Sequence, residues 1–186
     1  MIGTVLTLGT DVKIIVLSGL IIGTIIIGYL LSSFLAGAGY EPVPRKRLEL
    51  MIEFSRPDEK TRVFDLGSGF GKIIIAISQR FHSRCTGVEI DPLKVWWTRG
   101  AIRRKKLDKY ADVVRANLLD VDLSSADIVY VFLWTGIMQK LREKVLVQMK
   151  PGSLVVSYFH EFDGWEPERK DASAKVYIYR IPSRTA

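Results

Sequence analysis

One stretch of the chain decides its fold: Val63-Phe64-Asp65-Leu66-Gly67-Ser68-Gly69-Phe70-Gly71-Lys72. An apolar strand leads into a turn with three glycines, and a predicted helix follows from Lys72. Glycine lets a backbone turn tightly and approach a ligand closely. The stretch therefore predicts a strand–turn–helix ligand site, with Asp65 as a carboxylate facing the turn.

A second carboxylate, Glu89, ends the next predicted strand in Gly87-Val88-Glu89-Ile90-Asp91. It lies about twenty residues beyond the turn, where Rossmann-like nucleotide sites place an acid that accepts ribose hydroxyl protons. Dinucleotide-binding turns read G-x-G-x-x-G, whereas this turn reads D-x-G-x-G-x-G. An acid before the turn repels a pyrophosphate but suits an ammonium and a sulfonium. The pattern favours S-adenosylmethionine (SAM) over NAD, and a glycine-rich turn without a ligand is the remaining alternative.

The third predicted strand ends at Ala116-Asn117-Leu118, at the edge that flanks an adenine ring in this fold. Asn117 is suited to hydrogen-bond the ring and Leu118 to pack on it, and a plain loop asparagine is the alternative. The predicted cofactor-binding residues are Asp65, Leu66, Gly67, Ser68, Gly69, Gly71, Glu89, Ile90, Asn117 and Leu118.

Strands and helices alternate along the rest of the chain. Strands are predicted at 62–65, 85–90, 113–116, 128–133, 153–158 and 175–181, and helices near 48–54 and at 72–80, 92–106 and 136–149. Asp91 and Pro92 suit the N-cap and first position of the third of these helices. Such alternation predicts an α/β fold with a mostly parallel sheet and helices on both faces. Together with the predicted SAM site, it indicates a Rossmann-like SAM-dependent methyltransferase fold. A loop rather than a helix precedes the last strand, which predicts that this strand is antiparallel.

An apolar run without a charged side chain covers residues 14–39. About 20 apolar residues suffice to cross a bilayer, so the run predicts one transmembrane helix. A cleaved signal peptide ending near Ala36-Gly37-Ala38 is an alternative, but the run exceeds the usual apolar core of such peptides. A buried hairpin bending at a glycine is another. We therefore predict a lipid-embedded anchor at 1–39 and a SAM-dependent methyltransferase domain at 40–186.

Basic residues follow the run directly, at Arg45, Lys46 and Arg47. Because cytoplasmic flanks carry an excess of Lys and Arg, they predict a single-pass protein of the cell membrane with its catalytic domain in the cytoplasm.

The composition narrows the remaining chemistry. Cys85 is the one cysteine, so an internal disulfide is excluded, and with two histidines we expect no metal site. The net charge is +7. Part of the excess positive charge lies on and after the helix predicted at 92–106. This basic surface is suited to bind nucleic acid or acidic lipid, or it is simply solvated. These basic residues are Arg99, Arg103, Arg104, Lys105, Lys106 and Lys109.

Four motifs together carry a family resemblance: D-L-G-S-G-x-G-[KR] at 65–72, G-V-E-[IL]-[DN] at 87–91, F-L-x-T at 132–135 and G-W-x-P at 164–167. Tyr40-x-Pro42-x-Pro44 and the aromatic strand Val176-Tyr177-Ile178-Tyr179 add to them. The sequence from Tyr40 to about Arg180 resembles the seven-strand protein lysine methyltransferases. The branch it resembles most contains the archaeal broad-specificity enzyme and the mitochondrial enzymes that methylate the ATP synthase c subunit and the adenine nucleotide translocase.

The resemblance implies a methyltransferase that acts on accessible lysines of proteins. The predicted anchor favours membrane or membrane-proximal proteins as its substrates, because a tether raises their effective concentration. Candidate residues for the substrate channel are Tyr40, Trp134, Thr135, Tyr158, Glu161 and Trp165, and the general base is unknown. One position departs from the family, because Phe70 stands where an acid is usual. An RNA or small-molecule methyltransferase, or a catalytically inactive SAM-binding membrane protein, are the alternatives.

Overall fold

The computed structural model describes residues 9–35 and 42–183. The chain divides into two compact units, Met1–Tyr40 and Glu41–Ala186. Tyr40 of the predicted channel and the Ala36-Gly37-Ala38 sequence lie outside the described residues.

The first unit contains one continuous helix, α1, over Thr10–Leu35. Its window Asp11–Gly28 has a mean hydropathy of 2.1, so the helix is long and apolar enough to cross a bilayer. Thr24 donates its hydroxyl to the carbonyl of Leu20 at 2.8 Å, which satisfies this polar side chain within the helix. The unbroken helix over these residues excludes the alternative of a hairpin.

The second unit is built on one sheet. Its seven strands, among the described residues, lie in the order β3-β2-β1-β4-β5-β7-β6. Strands β1 to β5 are parallel to one another, and β7 is antiparallel to both β5 and β6. The strands are β1 Arg62–Leu66, β2 Arg84–Glu89, β3 Ala111–Arg115, β4 Ile128–Val131, β5 Leu154–Tyr158, β6 Arg169–Asp171 and β7 Val176–Arg180.

Four helices accompany this sheet: α2 Arg45–Ser55, α3 Lys72–Phe81, α4 Pro92–Arg104 and α5 Thr135–Gln148. Apolar side chains of α2, α3 and α4 share one buried cluster, and those of α5 belong to a second cluster. Because alternate residues of a strand point to opposite sides, β4 contributes to both, with Tyr130 in the first and Val129 in the second. The sheet therefore has two separate cores, one on each face.

The parallel arrangement of β1 to β5 and the antiparallel last strand confirm the predicted fold. Within the second unit, element bounds differ by up to three residues from the prediction, the largest difference being at the start of α2. At α4 the Asp91 carboxylate accepts from the backbone N–H groups of Leu93 and Lys94, which confirms the predicted N-cap. The strand β6 was not predicted, because its three residues Arg169–Asp171 are polar and largely exposed.

The register aligns the carboxyl ends of the parallel strands. Asp65 lies opposite Gly87 of β2 and Tyr130 of β4. Side chains that follow β1, β2, β4 and β5 therefore meet at one edge of the sheet, where α/β proteins of this type bind their ligands.

Candidate active site

The glycine-rich turn between β1 and α3 forms the floor of this edge. Gly67, Gly69 and Gly71 adopt φ values of 81°, 55° and 73°, a left-handed backbone that favours glycine. The N–H groups of Gly67 and Ser68 both donate to the carbonyl of Val88, at 2.9 and 3.0 Å. The turn is thus fixed to the end of β2.

Close packing holds the other side of the turn. A Cβ placed on Gly71 would lie 2.5 Å from the Thr98 Cγ2, and the Thr98 hydroxyl donates to the carbonyl of Gly69 at 3.2 Å. On β2, a Cβ on Gly87 would lie 2.7 Å from the Ser68 Oγ. Helix α4, strand β2 and the turn therefore approach one another as closely as bare backbone allows.

Glu89 is the central polar residue of the edge. It is buried, and its two carboxylate oxygens accept from the N–H groups of Gly69 at 2.8 Å and Asp91 at 3.0 Å. Each carboxylate oxygen has a second lone pair, so the group can also accept from ligand hydroxyls. A direct hydrogen bond thus joins the acid at the end of β2 to the glycine turn.

Asp65 is buried beside this carboxylate. Loss of hydration and the charge of Glu89 raise the pKa of Asp65 to about 8. The Ser68 hydroxyl is buried without a hydrogen-bond partner among the residues that the structure describes. A buried acid pair, an unsatisfied hydroxyl and a turn of glycines fit a ligand that carries hydroxyl groups and positive charge.

The third strand contributes less to this edge. Asn117 is exposed, and its side-chain oxygen accepts from the N–H of Leu119 at 3.0 Å, so it closes its own turn. Ile90 is 56% exposed, which leaves an apolar side chain open directly after Glu89. The roles predicted for Asn117, Leu118 and Ile90 stay predictions.

An aromatic group lies beyond the ends of β4 and β5. Phe132 packs edge-on against Tyr158 with ring centroids 4.6 Å apart, and Phe159 lies 6.3 Å from Phe132. His160 follows at 4.9 Å from Phe159. These four rings form the aromatic wall of the site.

Phe159 is held in a strained conformation within this wall. Its φ is 78°, in the left-handed region that a phenylalanine rarely adopts. Its N–H donates to the carbonyl of Lys175 at 2.7 Å, and the Lys175 ammonium lies 3.7 Å from the centre of its ring. Such strain persists only where its surroundings enforce it and is often found at functional sites.

The six candidate channel residues are not all brought together. Trp134 and Thr135 follow β4 and Tyr158 ends β5, at the edge that carries the glycine turn. Trp165 instead packs with Phe162 and Tyr179, at 5.6 and 4.8 Å, in the cluster on the α5 face.

Glu161 is exposed. The pKa of Tyr177 is raised mainly by burial, and then by the charge of Glu161 and its hydrogen bond with Tyr177. Tyr177 belongs to the α5-face cluster, whereas Tyr158 belongs to the opposite one.

Three residues of the site were missed by the sequence interpretation. Phe159 and His160 directly follow β5, and the rule that parallel strands end at one edge would have found them. Lys72, the first residue of α3, donates its ammonium to the carbonyl of Val43. This bond ties the segment before α2 to the helix that follows the glycine turn.

Comparison with known proteins agrees with this geometry. The family profile of the ANTKMT methyltransferase domain matches residues 65–169. A protein-lysine N-methyltransferase from Saccharolobus islandicus is 32% identical over 156 residues, which cover 80% of this chain and 97% of that enzyme. The adenine nucleotide translocase lysine N-methyltransferase of Mus musculus is 30% identical, over 64% of this chain and about half of its own length.

A solved structure is also similar. The RNA methyltransferase from Salinibacter ruber, crystallised with S-adenosyl-L-homocysteine, superimposes with a TM-score of 0.74. It is 30% identical in sequence, and the match covers 78% of this chain and 97% of that one.

Two glycines provide a matched test of the turn. At both positions, alanine would have to adopt a left-handed backbone, which costs free energy. Gly71→Ala also introduces a clash with Thr98, whereas at Gly152, with φ 85°, no atom lies within 4 Å of the added Cβ. We expect Gly152→Ala to lower the free energy of unfolding by about 1–2 kcal/mol, and Gly71→Ala by roughly 1–3 kcal/mol more. Urea denaturation of the full chain in detergent measures both, and equal losses would show that the turn is not close-packed.

Proposed function

Since this chain belongs to the ANTKMT methyltransferase-domain family and is a SAM-dependent methyltransferase, we propose that it methylates the ε-amine of protein lysines. The observation that carries the proposal is the 32% identity with a protein-lysine N-methyltransferase along 97% of that enzyme. The mouse relative is named as a lysine N-methyltransferase of the adenine nucleotide translocase, which also supports lysine as the methyl acceptor.

We assign the cofactor to the turn and the two acids. Glu89 accepts the ribose hydroxyls, and Ile90 packs beside the adenine, where its exposed side chain would lose contact with water. Asn117 and Leu118 flank the same ring. Asp65 and the turn residues Leu66, Gly67, Ser68, Gly69 and Gly71 hold the amino-acid end, because an anionic pair attracts its ammonium.

The cofactor supplies a methyl group on a sulfonium, so the protein has to orient the acceptor and exclude water. A lysine ammonium must lose its proton before it can attack. Burial lowers a lysine pKa, and the aromatic wall of Phe132, Tyr158, Phe159 and His160 offers such a dry surface. Trp134, 61% exposed, and Thr135 lie after β4 and complete the proposed acceptor channel. We place Trp165 and Glu161 outside it, because their contacts are on the α5 face.

A second acceptor class has specific support. The structurally similar protein from Salinibacter ruber is named an RNA methyltransferase, and this chain has a net charge of +7. RNA methylation would use the same cofactor turn with a different partner.

The acceptor is tested with labelled SAM. The full chain, incubated with membrane and soluble protein fractions, should transfer label that survives nuclease and is recovered as methyl-lysine after hydrolysis. Glu89→Ala should lower transfer, because each lost hydrogen bond to a charged acceptor is worth about 1.5–3 kcal/mol. Lys140→Ala, an exposed substitution on α5, is the control and should not change transfer. Label that disappears with nuclease would assign the RNA acceptor instead.

Cofactor binding should depend on pH through Asp65. Its raised pKa keeps the carboxyl protonated below about pH 8 without ligand, whereas a bound cation favours the ionised form. Binding therefore releases a proton, and affinity should rise by up to about tenfold per pH unit between roughly pH 5.5 and 7, where the ammonium of SAM stays protonated.

Calorimetry of the wild type and Asp65→Asn measures this dependence, and two buffers of different ionisation enthalpy report the released proton. The variant has no carboxyl to ionise, so its affinity should be flat across the same range. A wild-type curve as flat as that of the variant would contradict the assignment.

We further propose that α1 spans the cell membrane with the catalytic domain in the cytoplasm. The support is the apolar window Asp11–Gly28 and the basic triplet Arg45, Lys46 and Arg47. A tether raises the effective concentration of membrane-bound acceptors without any new contact. Integral proteins that present lysines on cytoplasmic loops are thus the preferred substrates.

The topology is tested by protease accessibility. Protease added to intact cells should leave the domain whole, and carbonate should not extract the protein from membranes. After the cells are permeabilised, the same protease should digest the domain. Release by carbonate, or cleavage of the domain from outside, would contradict the anchor or its orientation.

A further inference from the structure

The outward face of α4 carries apolar and basic side chains that neither the sheet nor the proposed site uses. Positions three and four apart on a helix share a face. One face of α4 carries the apolar residues Leu93, Trp96 and Trp97 near the start of the helix. The same face carries the basic residues Arg103 and Arg104 at the end of the helix. Val95, Thr98 and Ile102 are buried on the opposite face.

The apolar end of this face is unusually open. Trp96 is 72% exposed, Leu93 57% and Trp97 53%. Phe70 extends the patch from the glycine turn, since its ring meets that of Trp97 edge-on with centroids 6.1 Å apart. Two tryptophans, a leucine and a phenylalanine thus form one contiguous apolar surface, a feature that marks interaction sites.

The basic end adjoins it directly. The Arg104 guanidinium lies 5.9 Å from the centre of the Trp97 ring, and Arg103, Lys105 and Lys106 are exposed beside it. We call the surface formed by Phe70, Leu93, Trp96, Trp97, Arg103 and Arg104 the α4 face.

We propose that the α4 face docks on the anionic surface of a lipid bilayer. Tryptophan is enriched at the level of lipid headgroups, where its ring is half in hydrocarbon and its N–H in water. Leucine and phenylalanine enter the acyl boundary, and arginines are attracted to anionic lipid. The side chains of the α4 face combine these three properties on one surface.

Charge and shape favour lipid over the other occupants. A second copy of the chain would bring a like-charged basic end against the first. RNA would use the arginines and the exposed Trp96 ring, but it would leave the exposed apolar side chain of Leu93 in water, and the Trp97 ring is already contacted by Phe70 and Arg104. The membrane span proposed above would also keep a lipid surface within reach, because a helix that crosses a bilayer tethers the domain to it.

Docking would act on the cofactor turn itself. Phe70 lies between Gly69 and Gly71, so the residue that contacts Trp97 is part of the turn.

Tryptophan quenching tests the docking on the full chain. The protein is reconstituted into vesicles that contain a brominated phosphatidylcholine, either with phosphatidylcholine alone or with added phosphatidylglycerol. We expect stronger quenching in the anionic vesicles, and loss of that difference in Trp96→Phe/Trp97→Phe, which retains Trp134 and Trp165 as internal references. Arg103→Ala/Arg104→Ala should lower the ratio of docked to undocked protein by roughly tenfold or more in anionic vesicles.

The matched control is Lys140→Ala/Lys170→Ala, which removes the same charge from exposed positions on α5 and β6 and should quench like the wild type. Unchanged circular dichroism and SAM binding show that each variant is folded, and they separate a failure of docking from a failure of the methyltransferase assignment. Quenching that is equal in both lipids, insensitive to the arginine variant or retained without Trp96 and Trp97 would overturn the proposal. Quenching relieved by added RNA, or concentration-dependent self-association through this face, would overturn it in favour of that partner.

Discussion

The carbonyl oxygen of Val88 accepts hydrogen bonds from both Gly67 and Ser68, and this shared acceptor fixes the turn after β1 to the end of β2. Glu89, the next residue, completes the link by accepting from Gly69. The left-handed backbone of Gly67, Gly69 and Gly71 favours glycine in this turn, and at Gly71 the close approach of Thr98 also leaves no room for a Cβ. The position of both acids, the start of α3 and the approach of α4 all depend on this connection.

Charge separates two regions of the molecule. The chain as a whole is basic, yet two acids are buried together under the turn, where loss of hydration makes one of them hard to ionise. A cation with hydroxyl groups relieves this cost, whereas a polyanion would increase it. The buried pair therefore suits a small cationic ligand, which is the role that we propose for it, and the exposed basic residues are the ones that we propose to face an anionic surface.

The sequence was sufficient to predict the glycine turn after β1 and the acids at the ends of β1 and β2, because strand ends, glycines and acids at fixed spacing are local signals. The binding of the cofactor by these residues stays a prediction. The parallel order of β1 to β5 followed from the alternation of strands and helices. The substrate half was harder, since Tyr158 and Trp165 look alike in sequence and lie on opposite faces. Which face an aromatic occupies depends on register and loop path. The left-handed Phe159 and the polar edge strand β6 likewise leave no pattern in composition.

Cys85 on β2 belongs to the core beneath the site and is almost fully buried. Burial, together with the charge of Asp65, raises the pKa of its thiol to about 12. A thiol that does not ionise at neutral pH is a poor nucleophile, so Cys85 should react slowly with oxidants and alkylating reagents in the folded domain. Cys85 is thereby protected from modification in the folded domain, so a cysteine introduced at an exposed position would be the more reactive of the two thiols.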